Sequence, residues 1–360
     1  MFYFFKKYPS RLEGLSAIRN ELSVSNNCFK RFVSNRWLSM GPVCSVVITN
    51  WNALKKYFLE TEHSKTVAES SMFIQICACL KEQETMLAKL HFILSVSELF
   101  ECYLKKLQSK STVIHVLHET LTEMVKLLMM RFVKEEAVNG KRGEELVDID
   151  LHSNKKNIEF CDFGCICKQM LLKIKKTNNS NTTVLERDML RFFVEATKYL
   201  QKKLPLKNRF LISLRCLVPA YRNENHTVDM IATLTKSLPK MSDSSTFIDT
   251  VMAEWLLYQA DMDIDSSAMD EVDKYWAQVF RKVDSLGQLK YSHLALVVKV
   301  ALSVSHGQAD VERGFSINKM MIGDQRTRLK HSTIVAVRTV KDFLIHFPNI
   351  EAVPITSALL

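Results

Sequence analysis

The chain has 360 residues, 47% of them hydrophobic and 24% charged, a balance that excludes disorder throughout and allows a buried core. Nine glycines and seven prolines are few breakers; they exclude a collagen-like repeat and argue against a β-sandwich or barrel. The formal charge of +10 leans toward a polyanionic partner, though the excess is spread along the sequence.

The N-terminus, Met1 to Phe5, is apolar for only five residues before Lys6 and Lys7, too short for a signal-peptide core. No stretch reaches the roughly 18–20 apolar residues a membrane span needs. An intracellular chain is expected, with its nine cysteines as free thiols and the sequons at Asn181 and Asn225 as chance matches.

From Ser71 to Gln108 no breaker occurs, and Leu87, Leu90, Leu94, Leu104 and Leu107 recur at helical spacing. Thr112 to Val133 repeats the pattern with Leu117, Leu121, Met124, Leu127 and Leu128. Asn139-Gly140-Lys141-Arg142-Gly143 opens a polar loop that runs to about Asn157. A second linker, Thr177 to Asn181, leads to a capping box of Thr183 with Glu186 and a helix bearing Leu185, Met189, Phe193, Ala196 and Leu200. Pro205 and Pro219 bracket a short helix, and Val228 to Ser245 is more polar. Further helices are expected from near Phe247, over Asp270–Val283, over Ser292–Phe315 and over Ser332–Phe347. Strand-like alternation is nowhere sustained, so a mainly α protein is expected.

Three patterns could hold a metal. Cys161-x-x-x-Cys165-x-Cys167 lacks the paired spacing of structural zinc, and His152 lies across a polar loop; buried free thiols fit better. His115-x-x-His118 with Glu119 shares a helix face but lacks a third ligand nearby. Asp261-x-Asp263-x-Asp265 resembles half a calcium loop, but Ser266 and Val272 stand where glycine and glutamate are needed; a solvated acidic linker is expected. No phosphate-binding glycine loop and no nucleophile elbow is present. No cofactor and no small-molecule substrate is expected.

Two basic stretches could track a phosphate backbone, though a solvated helix face fits each of them better. Lys202, Lys203, Lys207, Arg209, Arg215 and Arg222 run without an intervening acid. Arg326, Arg328, Lys330, Arg338 and Lys341 cluster near the C-terminus.

The segment Ser305 to Lys319 contains Ala309-Asp310-Val311-Glu312-Arg313-Gly314-Phe315-Ser316. It resembles the C-terminal signature of hAT-superfamily transposases. Arg326-Thr327-Arg328-Leu329 and the helix from Thr333 to Phe347 resemble the rest of that family's dimerisation region, and Asp273–Phe280 with Leu289-Lys290-Tyr291 resembles the approach to it. Ser34–Pro42, with Arg36 and Trp37, is similar to the family's Arg-Trp motif, and Asn50–Phe58 to its continuation. The likeness spans most of the chain; the Glu-Arg-x-Phe-Ser block is its specific part.

The resemblance implies an RNase-H-like core interrupted by a helical insertion, with three acids binding two metal ions. The third acid falls on Glu312; Arg36 and Trp37 fall where an indole stacks on a flipped base. The family's first two aspartates precede the Arg-Trp motif, whereas the first aspartate here is Asp148. A remnant of that fold without its N-terminal strands is therefore expected, with no nuclease activity. Its organisation would be residues 1–135 as the Arg-Trp-motif segment with the first helical part of the insertion, 136–288 as the second helical part with flexible loops, and 289–350 as the dimerisation region. Phe315, Ile317, Ile334, Val337, Val340, Phe343 and Leu344 would form apolar contacts of the terminal helices and join subunits. Arg36, Trp37, Lys202, Lys203, Lys207, Arg209, Arg326, Arg328 and Lys330 would meet DNA. The expected partners are a second copy and duplex DNA, not a membrane, and the expected compartment is the nucleus. Two rivals remain: a fragment of an active transposase whose aspartates lie upstream, and a helical adaptor without DNA affinity.

Overall fold

The computed structural model describes residues 1–6, 8–25, 28–33, 39–177, 179–239, 241, 244–264, 271–323 and 329–354. Within these the chain is mainly α-helical, and the extended pairing is limited to isolated bridges such as Val133 with Lys155 and Val283 with Leu289.

The helices in chain order are α1 (Phe2–Lys6), α2 (Pro9–Glu21), α3 (Met40–Thr49), α4 (Trp51–Lys55, running into a π-helical turn at Lys56–Glu60), α5 (Lys65–Ala68) and α6 (Ser71–Lys81). Then come α7 (Gln83–Leu107), α8 (Leu117–Met130), α9 (Glu135–Val138), α10 (Gly143–Leu146), α11 (Cys165–Thr177), α12 (Asn179–Lys203) and α13 (Arg209–Ser213). The last six are α14 (Thr227–Ser237), α15 (Ser245–Ala260), α16 (Val272–Val279), α17 (Ser292–Ser303), α18 (Ala309–Ile322) and α19 (His331–Leu344). Polar side chains start several of them: Ser70, Asn208 and Ser244 accept the amides of Phe73, Leu211 and Phe247, satisfying donors the first turn leaves open.

Met1–Leu107 and Ser111–His306 form one compact unit; Gln108–Lys110 and Gly307–Leu360 form a second. The expected division at residue 289 thus lies inside the first unit, because α17 buries Leu294, Val297, Val298 and Ala301 there. The expected helix over Ser292–Phe315 is two helices, broken between Val304 and Gln308. The breaker-free stretch over Ser71–Gln108 is also two helices, separated by Glu82. Neither glycine nor proline marks that break; α7 packs Met86, Leu87 and Leu90 on the N-terminal core and buries Ala88 and Phe92 in the central one. Thr183 and Glu186 lie inside α12, whose first residue is Asn179, so they do not cap its start.

The first unit has three hydrophobic cores. The N-terminal one gathers Phe4, Phe5, Phe29, Trp51, Tyr57, Phe58 and Phe73. The central one is built on α7, α8, α11 and α12, and near its centre Phe132 and Phe163 both stack on Phe193, at 5.7 and 6.0 Å. In the third, Trp276 stacks with Trp255 and Phe280 and donates to the Leu217 carbonyl at 3.0 Å.

Buried charges sit at helix ends in this third core. Arg222 donates to the carbonyls of Tyr258, Asp261 (2.6 Å) and Ile264 (3.1 Å), closing the C-terminal end of α15. Glu254, on α15, accepts the His293 amide at 3.2 Å and the Leu294 amide at 2.7 Å at the start of α17. Each sign sits at the helix end the macrodipole favours.

Candidate functional surfaces

The second unit carries the Glu-Arg-x-Phe-Ser segment on α18. Glu312 is exposed, and Arg313 donates to the Gln108 carbonyl at 2.8 Å within the same unit. Arg338 of α19 donates to the Gly314 carbonyl at 3.1 Å and to Asn318 Oδ1 at 3.2 Å, tying α19 to α18. Among the described side chains of this unit none is fully buried. Of the residues expected to join subunits, Phe315, Val337, Val340 and Phe343 are exposed, whereas Ile317, Ile334 and Leu344 are half-buried. Val337, Val340 and Leu344 follow the three-then-four spacing of a heptad seam, and the Phe343 ring rests on Phe347 at 5.0 Å. An apolar stripe left open on a thinly packed helix gains by covering, at about 25 cal/mol per Å².

The residues expected to meet DNA are not brought to one place. Arg36, Trp37, Arg326 and Arg328 lie outside the described residues. Lys202, Lys203, Arg209 and Lys330 are exposed, and exposed Lys207 pairs with Asp148 at 2.7 Å. The rest of the first basic stretch is structural. Arg215 sits between Glu119 (2.9 Å) and Glu224 (3.0 Å) and over the Tyr221 ring, and Arg222 is the buried cap described above. The expectation of a continuous basic face over 202–222 therefore ends near Arg209.

The metal candidates diverge. Cys161 and Cys167 are buried in the central core while Cys165 is exposed; Cys161 Sγ faces the Asn157 carbonyl and Cys167 Sγ faces Met189. Burial pushes the Cys167 thiol up to about 12, which keeps it protonated and a poor ligand. His118 Nε2 lies 2.9 Å from the Leu206 carbonyl, and burial lowers His115 to about 4. The expected solvated acidic linker is corrected at its first residue: Asp261 is buried and accepts Lys290 Nζ at 2.7 Å and the Tyr291 hydroxyl at 2.6 Å. Burial alone would raise that carboxyl; these donors and the Asp263 amide outweigh it and bring it to about 2. Asp265 lies outside the described residues.

Among the described residues no three His, Cys, Asp or Glu side chains stand close enough together to hold a metal ion. The metal pair that the hAT resemblance implies thus finds no fitting donor set around Glu312 among them, and no metal-dependent step follows. No helix among the described residues is long and apolar enough to cross a membrane.

No protein-family model, curated protein or solved structure matches the chain.

One charged surface escaped the sequence reading. Residues 165–203 carry nine Lys and Arg against three Asp and Glu, so this stretch supplies most of the chain's +10. Its apolar residues are read first as two core stripes, and the cations between them look like ordinary solvated helix faces. Only the pairing of α11 with α12 brings the two sets of cations onto neighbouring helices.

Proposed function

We propose that this chain is a non-catalytic, transposon-derived association protein of the nucleus. It self-associates through α18 and α19 and retains a weak, sequence-independent affinity for duplex DNA. The observation that carries this reading is the open apolar stripe of Val337, Val340 and Phe343, beside Leu344, on a helix with no fully buried residue. Pairing with its copy would cover that stripe in both chains at once, the usual economy of a twofold contact. The resemblance of Ser305–Lys319 to the hAT signature supports the same surface.

The test is sedimentation of the full chain against a variant carrying Val340→Asp and Phe343→Asp. Both side chains are already exposed in the single chain, so folding should be preserved. The dimer should weaken by about 100-fold or more, since two apolar contacts of about 1.5 kcal/mol each are replaced by buried charge. A variant that still sediments as a dimer at micromolar concentration moves the interface elsewhere.

A second expected result concerns Glu312. Glu312→Ala should leave duplex affinity, read by anisotropy, unchanged, because a carboxylate adds nothing to phosphate binding. A magnesium-dependent nick that disappears with Glu312→Ala would replace this reading with that of a transposase fragment.

A further inference from the structure

The solvent side of the α11–α12 hairpin has no role in the association reading. On α12, Arg187, Arg191, Lys198 and Lys202 are spaced by four, seven and four residues, which aligns them in one row about 22 Å long at 1.5 Å per residue. Beside that row stands the Tyr199 ring, 63% exposed, and seven residues before it Phe192, 37% exposed with its ring packed edge-on with Phe92 at 5.6 Å. Neighbouring α11 contains no acid and exposes Lys173, Lys175 and Lys176. Lys198 has a contact with Glu195 at 3.2 Å.

We propose that this hairpin face binds single-stranded nucleic acid, its cation row following the phosphates while Tyr199 stacks on an unpaired base. A row of cations with a flat ring alongside is the arrangement that holds a strand without reading its sequence. A duplex would use the cations but offer the ring no base face. A lipid surface fits less well. An interfacial helix must insert its apolar face, and α12 has already committed Leu185, Met189 and Phe193 to the central core. Asp188 and Glu195 lie on the same exposed side, between the cation row and Tyr199, which lowers the expected affinity for any polyanion.

The test uses the full chain and fluorescein-labelled oligo-dT and oligo-U strands of about 20 nucleotides, read by anisotropy from about 50 to 200 mM salt. Both strands should bind, with a log–log salt slope near −3 for about four neutralised phosphates. A tighter oligo-U complex would identify RNA as the ligand, and a tighter oligo-dT complex DNA. The variant R187Q/R191Q/K202Q should lose at least about tenfold in affinity at the low-salt end and flatten the slope by about 2. Tyr199→Ala should lose about tenfold with the slope unchanged, which a loss of charge cannot imitate. The charge-keeping variant R187K/R191K should bind like the parent, and if the triple variant misfolds, exposed Lys202→Gln alone should still flatten the slope. The α19 variant that cannot self-associate should keep its strand affinity, so failure of one reading is separable from failure of the other.

No binding to either strand at the low-salt end overturns the proposal. So does a stronger affinity for a duplex of equal length, or binding to vesicles rich in phosphatidylserine in place of the strands. Strand affinity unmoved by R187Q/R191Q/K202Q and by Tyr199→Ala also overturns it.

Discussion

Replacing Gly164 by alanine is expected to remove about 3–5 kcal/mol of folding stability, measured by urea denaturation. Two costs add. Gly164 has φ +93°, a backbone conformation that side chains with a Cβ rarely adopt. Its added methyl would also lie 2.8 Å from Ser95 Oγ and 2.9 Å from Ser95 Cβ, on α7. Neither side yields readily. Ser95 Oγ accepts Arg131 Nη1 at 2.9 Å, and the Gly164 amide is held by Asp162 Oδ1 at 2.9 Å. Ser95→Gly in the alanine background should return only the overlap, a coupling of about 1–3 kcal/mol, and leave the dihedral cost in place. An alanine variant as stable as the parent would show that α11 can slide along α7.

The second large effect is acid destabilisation through His115. Burial, opposed by the nearby Asp273 carboxylate and helped by Lys106, lowers its imidazole from 6.5 to about 4. Its Nδ1 is buried without a hydrogen-bond partner among the described residues, so the ring is held as a neutral core group. The sign follows from linkage. Between pH 6.5 and 4 the unfolded chain takes up a proton that the folded chain refuses. The stability is fully present above 6.5 and is lost as the pH falls toward 4, by about 2–3 kcal/mol for a group that keeps some solvent contact. His115→Leu should remove that slope, so that the difference in stability between parent and variant shifts by this amount across the window. A constant difference from pH 7 to 4 would mean that His115 titrates normally in the fold.

What was legible in the sequence follows from periodicity. The stripes at Leu121, Met124, Val125 and Leu128 and at Leu185, Met189 and Phe193 are buried faces of α8 and α12, and the mainly α reading rests on such stripes. Helix ends were less legible, because they depend on tertiary packing rather than on apolar spacing. Glu82 carries no breaker signal, whereas the break before Gln308 falls on Ser305-His306-Gly307, a polar stretch with a glycine that the reading of one helix over Ser292–Phe315 passed over. Arginines were ambiguous for a related reason. Arg209 and Arg222 look alike in a basic stretch, yet one is solvated and the other closes α15, a difference made by Tyr258, Asp261 and Ile264 far along the chain. The open stripe of α19 was legible as apolar spacing, but exposure is a property of the assembled fold.

The order of the three cores along the chain has a consequence for biosynthesis. Among the described residues, the buried members of the N-terminal core lie between Phe4 and Leu80, those of the central one between Ala88 and Leu206, and those of the third between Leu211 and Ala301, with Ile114 ahead of them and the partly buried Leu117 packed beside it. Each is nearly complete before the next has left the ribosome, so a nascent chain can settle core by core with short loop closures and little unprotected apolar surface. Ile114 and Leu117 are exceptions: they emerge with the second core and wait for some hundred residues of further synthesis before their neighbours in the third arrive.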